Sequence, residues 1–167
     1  MTQTIEHTTT PAPSGSTTST QLQSAVRASL RPGTATEVAI FARDHSFTID
    51  EPADLGGADR GANPVEHLLA ALASCTVITY TVWAEKLGLT LDGVDVAVDG
   101  NIDLRGFLGL EDTVRPGFQE INLAVRLTGP DSAEDYRRLE ETVATHCPVG
   151  DNLTAGVPVH SRVTIAG

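Results

Sequence analysis

The chain has 167 residues, with 22 Asp and Glu against 11 Lys and Arg for a net charge of −11; the length suits one domain, and the acidity offers no basic footprint, so nucleic acid is not an expected partner. Apolar residues at 40% and charged residues at 20% are globular proportions, which exclude a wholly disordered or collagen-like chain. The longest unbroken apolar run, Leu68 to Ala73, falls far short of the ~18 residues of a spanning helix, and MTQTIEHTTT has neither a positive start nor an apolar stretch; no membrane partner and a reducing cytoplasm are expected.

Eleven of the first twenty residues are Ser or Thr, with Pro11, Pro13 and Gly15 among them. Such a stretch cannot repay its ordering entropy, so residues 1–20 are expected to be a disordered tail and residues 21–167 a single domain. From Gln21 the text alternates: SAVRASL, the turn signal RPGT, TEVAIFAR, a second turn at Asp44, then HSFTID, which together predict an antiparallel meander. Residues 52–62, with their GG pair, predict a loop.

Asn63, Pro64 and Glu66 predict a helix start, with Asn63 as N-cap, Pro at the first position and Glu three residues after the cap. Gly88 should end this helix after Leu87. Its apolar residues occupy more than one face, as in a helix buried among neighbours. Leu89 to Leu104 predicts a strand, Gly106 to Pro116 a loop and Phe118 to Leu127 a second strand, broken by Gly129-Pro130. Asp131 and Glu134 suggest a second capping box, opening a helix that runs to Cys147 and is closed by Pro148. Alternation over Val157 to Ile165 predicts a last strand.

Two cysteines, at 75 and 147, are too few for a disulfide-stapled scaffold or for a structural zinc site on their own. Both could be small core hydrophobes, the commonest fate of a free cysteine. As a reactive thiol Cys75 would need its pKa lowered from ~8.5, and three turns into its helix it is beyond the helix-start effect, so a cation such as Arg27, Arg31 or Arg43 would have to supply it. Cys147, placed at a helix C-terminus, would have its thiolate disfavoured, which suits a thiol that attacks second.

The run NPVEHLLAALASCTVIT, the loop DEPADLGGADRGA before it and HCPVGDNL around the second cysteine resemble the OsmC/Ohr family of thiol-dependent peroxidases, above all its OsmC-like branch, from about Gln21 to Gly167. The resemblance implies an α+β fold with curved antiparallel sheets around two long central helices, two protomers intertwined as a homodimer with active sites at their interface, and no metal or organic cofactor. It makes Cys75 the peroxidatic cysteine and Cys147 the resolving one. An organic hydroperoxide, or less efficiently hydrogen peroxide, would oxidise Cys75 to a sulfenic acid; a Cys75–Cys147 disulfide would follow, reopened by a dithiol, lipoyl-type in the best-known members.

The peroxide-resistance members carry a Glu ten residues before the reactive cysteine, to hold the activating Arg; Val65 stands there in this chain. Glu66, nine residues before Cys75, lies about 180° round the helix at ~100° per residue, and its position suits a cap ahead of a catalytic role. The resemblance draws the activating Arg from the N-terminal strands or their turns, which makes Arg43 and Arg31 the candidates; either could equally be an ordinary ion-pair residue. His146 could join the two thiols on a metal but would lack a fourth ligand. His67 lies about 80° from Cys75 on the helix, and Trp83, Phe107 and Phe118 suit core or pocket wall. A non-catalytic OsmC-like protein that binds a small apolar or thiol-reactive ligand at the dimer interface is the alternative; a cysteine hydrolase would need a His beside Cys75.

Overall fold

The computed structural model describes residues 20–165, so the Ser/Thr-rich segment over 1–20 lies, apart from Thr20, outside the described residues. The meander forms as an antiparallel sheet in the order β1 (Arg27–Leu30), β2 (Val38–Ala42) and β3 (His45–Ile49), with Ala28 opposite Ile40 and Ile40 opposite Phe47. The loop that follows is gathered on Asp50, whose carboxylate accepts from the Thr36 hydroxyl (2.6 Å) and from the backbone N–H groups of Glu51, Ala58 and Arg60.

Helix α1 runs Pro64–Leu87. The Asn63 side chain accepts from Glu66 N–H (2.9 Å) and the Glu66 carboxylate accepts from Asn63 N–H (2.8 Å), while Gly88 takes the left-handed conformation (φ 70°) that ends the helix. Strands β4 (Gly93–Ile102) and β5 (Phe118–Thr128) form a second antiparallel sheet. Between them a short helix, α2 (Leu104–Phe107), occupies part of the expected loop, capped by the Asp103 carboxylate accepting from Arg105 N–H. Helix α3 (Ala133–Ala144) and helix α4 (Pro148–Thr154) complete the order, and α1 packs against β4, α3 and α4. The core lies there, with Tyr80, Ala84, Leu139 and Val143 buried under Trp83, Val94, Val125 and Leu127.

Four expectations need correcting. The cap of α3 is Ser132, paired with Asp135, because Asp131 is spent on Thr90 N–H, which its carboxylate accepts at 2.6 Å. Helix α3 stops at Ala144, and Pro148 opens α4 instead of closing α3, since a proline lacks only an N–H that the first turn leaves unpaired anyway. Residues 157–165 join no sheet; Val157, Val159, Val163 and Ile165 alternate as a strand should, yet the segment pairs with neither sheet of its own chain, and all four are exposed. Helix α1 is not enclosed on every side within one chain, because Ile78 is 61% exposed and Val82 and Leu68 are also open. By length and composition alone α1 could cross a bilayer, which the count of its longest unbroken apolar run did not anticipate; its inner side packs on the chain's own elements.

Candidate functional site

Cys75 lies half-buried midway along α1, and Cys147 is buried at the N-cap of α4; both are free thiols. They are brought together because α4 folds back onto α1 directly after the α3 turn. The backbone N–H of Val149 lies close to the Cys75 sulfur and that of Gly150 close to the Cys147 sulfur, and the two thiols are neighbours. Gly150 packs against Cys147: a Cβ there would sit 3.4 Å from Cys147 Cβ and 3.6 Å from its Sγ, ordinary van der Waals contact. Thr76 Oγ1 lies 3.8 Å from Cys147 Sγ, and Thr79, whose hydroxyl donates to the Cys75 carbonyl (2.7 Å), flanks both sulfurs.

The surroundings make the thiols unequal. Burial pushes the Cys75 thiol up, and the adjacent Cys147 sulfur adds to this against the opposing Val149 N–H and Thr79 hydroxyl. Burial works against the Cys147 thiolate too, but hydrogen bonds from Gly150 N–H, the Cys75 thiol, Thr76 and Thr79 outweigh it and bring that thiol below its ordinary value. The expectation that a helix C-terminus disfavours its thiolate is thereby overturned, for Cys147 stands at a helix start.

None of the groups that shift the Cys75 thiol is an arginine. Arg31 is engaged with Glu37 (Nε to Oε1 2.5 Å), and Arg43 sits in the β2–β3 turn with φ 55°. Glu66 is committed to the capping box, while Val65 faces a groove of about 470 Å³ with Leu68, Phe118 and Leu153. His67 uses Nδ1 on the Asn63 carbonyl and stacks on Phe47 (ring centroids 5.1 Å apart); His146 uses Nδ1 on the Thr142 carbonyl and leans on Trp83. Neither ring is among the groups that shift the Cys75 thiol, and no cluster of three or more His, Cys, Asp or Glu among the described residues could hold a metal ion. Trp83 packs against the core and Phe118 lines the groove, but Phe107 is 71% exposed and belongs to neither, since α2 lifts it out of the loop.

A chamber of about 300 Å³ opens between α1, β5 and α3, with Cys147 in its wall. Leu72, Thr76 and Tyr80, spaced i, i+4 and i+8, present one face of α1 to it, and Glu140 lies on the α3 side. Burial, and then the Glu140 charge, push the Tyr80 hydroxyl up, so it stays protonated. Sequence reasoning passed over Thr76, Thr79 and Tyr80; the available signal was a row of polar-tipped residues in the middle of a helix rich in apolar ones.

The family model for OsmC-like proteins matches residues 56–162. No curated protein sequence matches the chain. Among solved structures, an OsmC-like protein from Mycoplasma pneumoniae superposes with a TM-score of 0.68 at 21% identity, covering 86% of this chain and 96% of that one. An organic hydroperoxide resistance protein OsmC from Legionella pneumophila gives 0.62 at 18% identity, covering 83% and 93%. An organic hydroperoxide resistance protein from Elizabethkingia anophelis, with thiocyanate bound, gives 0.61 at 19%, covering 81% and 90%. At these identities the superpositions establish a shared fold.

Proposed function

The chain belongs to the OsmC-like family, and from that premise we propose that it is a cysteine-based peroxidase for organic hydroperoxides. The observation that carries this reading is the pair of free thiols, Cys75 and Cys147, in mutual contact under the α4 amides. In the proposed cycle the Cys75 thiolate attacks the terminal oxygen of ROOH; the O–O bond breaks, the alkoxide takes a proton and leaves as ROH, and Cys75 becomes a sulfenic acid. The Cys147 thiolate then attacks the Cys75 sulfur and closes a disulfide, and the hydroxide it expels takes a proton and leaves as water. A small dithiol reopens it by exchange and leaves oxidised. The lowered Cys147 thiol suits that second attack, since only a thiolate is the nucleophile. The same dithiol chemistry belongs in a reducing cytoplasm.

The working unit in this reading is an intertwined homodimer. Support comes from the unpaired strand-like segment 157–165 and from the open apolar residues Ile78 and Val82 on α1, apolar side chains that a partner would cover. A partner's N-terminal sheet would bring Arg31 or Arg43 to Cys75, the cation that one chain alone does not provide. The test is to titrate the reduced protein with cumene hydroperoxide and count free thiols. Loss of two thiols per chain is expected, and Cys75→Ser should keep its remaining thiol; thiols that survive in the wild type end the proposal.

One observation favours a second reading. The Cys75 thiol is pushed up, and Val65 replaces the Glu that holds an activating Arg in peroxide-resistance relatives. A non-catalytic protein that binds a small apolar or thiol-reactive ligand would need neither. A Cys75 thiol in the assembled protein that titrates below the free value supports the peroxidase, and one at or above it supports the binder.

A further inference from the structure

Four aliphatic hydroxyls stand along α1, and one is turned differently from the rest. Ser74 donates to the Ala70 carbonyl (2.8 Å), Thr79 to the Cys75 carbonyl (2.7 Å) and Thr81 to the Ile78 carbonyl (2.8 Å), the bond back to the preceding turn that a helical Ser or Thr readily makes. Thr142 in α3 and Thr154 in α4 do the same. Thr76 does not: among the described residues its Oγ1 has one hydrogen-bond partner, the Cys147 sulfur, at 3.8 Å. Thr76 is only 3% exposed, and a valine would fill the same space with no polar atom to satisfy. The orientation of this hydroxyl therefore serves the sulfur and not the helix. Between two neutral groups either atom can donate. A thiolate has no proton, so the Thr76 hydroxyl is then the donor, in a charge-assisted bond roughly twice as strong as a neutral one. The hydroxyl thus favours the thiolate at a site where burial opposes it, in the same direction as the lowered Cys147 thiol.

We propose that Thr76 is a positioning residue for the resolving step, holding the Cys147 sulfur in place and donating a hydrogen bond to it as the thiolate that attacks. In giving Cys147 that step, the inference rests on the peroxidase reading. The thiolate's electron pair forms the bond to the Cys75 sulfur, the S–O bond of the sulfenic acid breaks, and the departing hydroxide takes up from solvent the proton that Cys147 had released. Thr76 keeps its own proton throughout, and its hydrogen bond weakens as the negative charge passes from the sulfur to the leaving oxygen. The titratable groups near Cys147 are Cys75 beside it, Tyr80 and Glu140 across the chamber wall, and His146 and Asp151 in its own stretch of chain; β5 brings only Leu123, Val125 and Leu127. Thr76→Val removes none of them, so a changed Cys147 titration in that variant reports the hydroxyl.

The test begins without turnover. Reduced full-length protein with its cysteines isotopically labelled at Cβ is titrated with base and followed by NMR, the two resonances being assigned through Cys75→Ser. Thr76→Val should raise the Cys147 thiolate midpoint by about one pH unit, the size of one hydrogen bond to a charged group. Thr76→Ser, which keeps the hydroxyl, should restore the wild-type midpoint. Rapid mixing with cumene hydroperoxide, acid quenching and mass measurement then follow the Cys75 sulfenic acid to the disulfide. Below the midpoint Thr76→Val should close the disulfide about threefold more slowly, because greater nucleophilicity partly offsets the roughly tenfold loss of thiolate; well above it the variant should be about threefold faster. A hydroxyl that only filled space would give slower closure at every pH. The proposal is overturned if the Cys147 midpoint stays put in Thr76→Val, if Thr76→Ser moves it as far, or if closure slows equally at every pH. Should Thr76→Val fail to fold, Thr76→Ala set against Thr76→Ser makes the same comparison. Thiols that survive cumene hydroperoxide would remove the peroxidase reading, and the bond from Thr76 to Cys147 would then stand or fall on the midpoints; hydroperoxide consumed with an unmoved midpoint would remove the role of Thr76 alone.

Discussion

The two halves of the molecule are held together by different forces. Around α1, α3 and the β4–β5 sheet, apolar burial does it: Leu139 is wholly enclosed, and Tyr80, Ala84 and Val143 are nearly so. In the β1–β3 sheet only Ile40 and Asp50 are buried, every residue of β1 is exposed, and Phe41 and Phe47 stand partly open. That half is organised by a carboxylate, Asp50, with four hydrogen bonds from β2–β3 flanking chain and loop, and it meets α1 through the Phe47–His67 stack. The C-terminal strand-like segment resembles the β1–β3 half in showing its apolar residues to solvent. One half closes its own core and the other leaves its apolar faces open, the contrast on which the proposed dimer rests.

The largest effect should come from the open half. Val159→Asp with Val163→Asp places charges on the exposed apolar row, and the dimer proposed above should dissociate to monomers in sedimentation at micromolar concentration. A dimer that persists would mean that this row is not its seam. In the closed half, Leu139→Ala removes the centre of the core and should cost about 2–5 kcal/mol in urea unfolding; a loss below 1 kcal/mol would show that the α1–α3 contact is looser than its burial indicates. Smaller again is the junction between the halves. Asn63→Ala deletes the α1 cap and should cost about 1 kcal/mol, whereas Glu66→Gln, which can still reach back to Asn63 N–H, should be close to neutral in unfolding and in thiol reactivity alike. A large loss of thiol reactivity in Glu66→Gln would give that carboxylate a chemical role.

Much of the architecture was legible because it depends on neighbours in sequence. The α1 limits followed from Asn63, Pro64, Glu66 and Gly88, and the meander from alternation and turn residues, all local devices. What escaped depends on distant partners. Asp131 has the chemistry of a cap but serves Thr90, forty-one residues away; Pro148 ends or starts a helix according to what its neighbours pack against, and here α4 is pulled onto α1. That one reversal moved Cys147 from a helix end to a helix start and changed its thiol from disfavoured to favoured. Residues 157–165 show that alternation marks a segment suited to a strand and leaves open whether it pairs. The pairing of Cys75 with Cys147 was reached through the resemblance, and composition alone could not have chosen it over two core thiols.

The last effect sharpens the contrast by pH. The Thr36 hydroxyl, with the N–H groups of Ala58, Arg60 and Glu51, holds the Asp50 carboxyl below the usual carboxylate range despite its burial. A carboxyl whose folded pKa lies below its unfolded one stabilises the fold fully above the unfolded value, near ~3.9, and loses that contribution as pH falls through the folded value. Acid should therefore loosen the β1–β3 half before it reaches the apolar core. Between about pH 5 and pH 2, amide exchange at Ala58 and Arg60, corrected for its intrinsic pH dependence, should quicken well ahead of exchange at Leu139 and Val143. Asp50→Asn cannot be protonated there: it should be less stable than the wild type at neutral pH, with the gap narrowing as the wild-type carboxylate takes up its proton. A gap that stays constant across that range would mean that Asp50 holds the loop by shape and not by charge, and the two halves would then differ less than their burial implies.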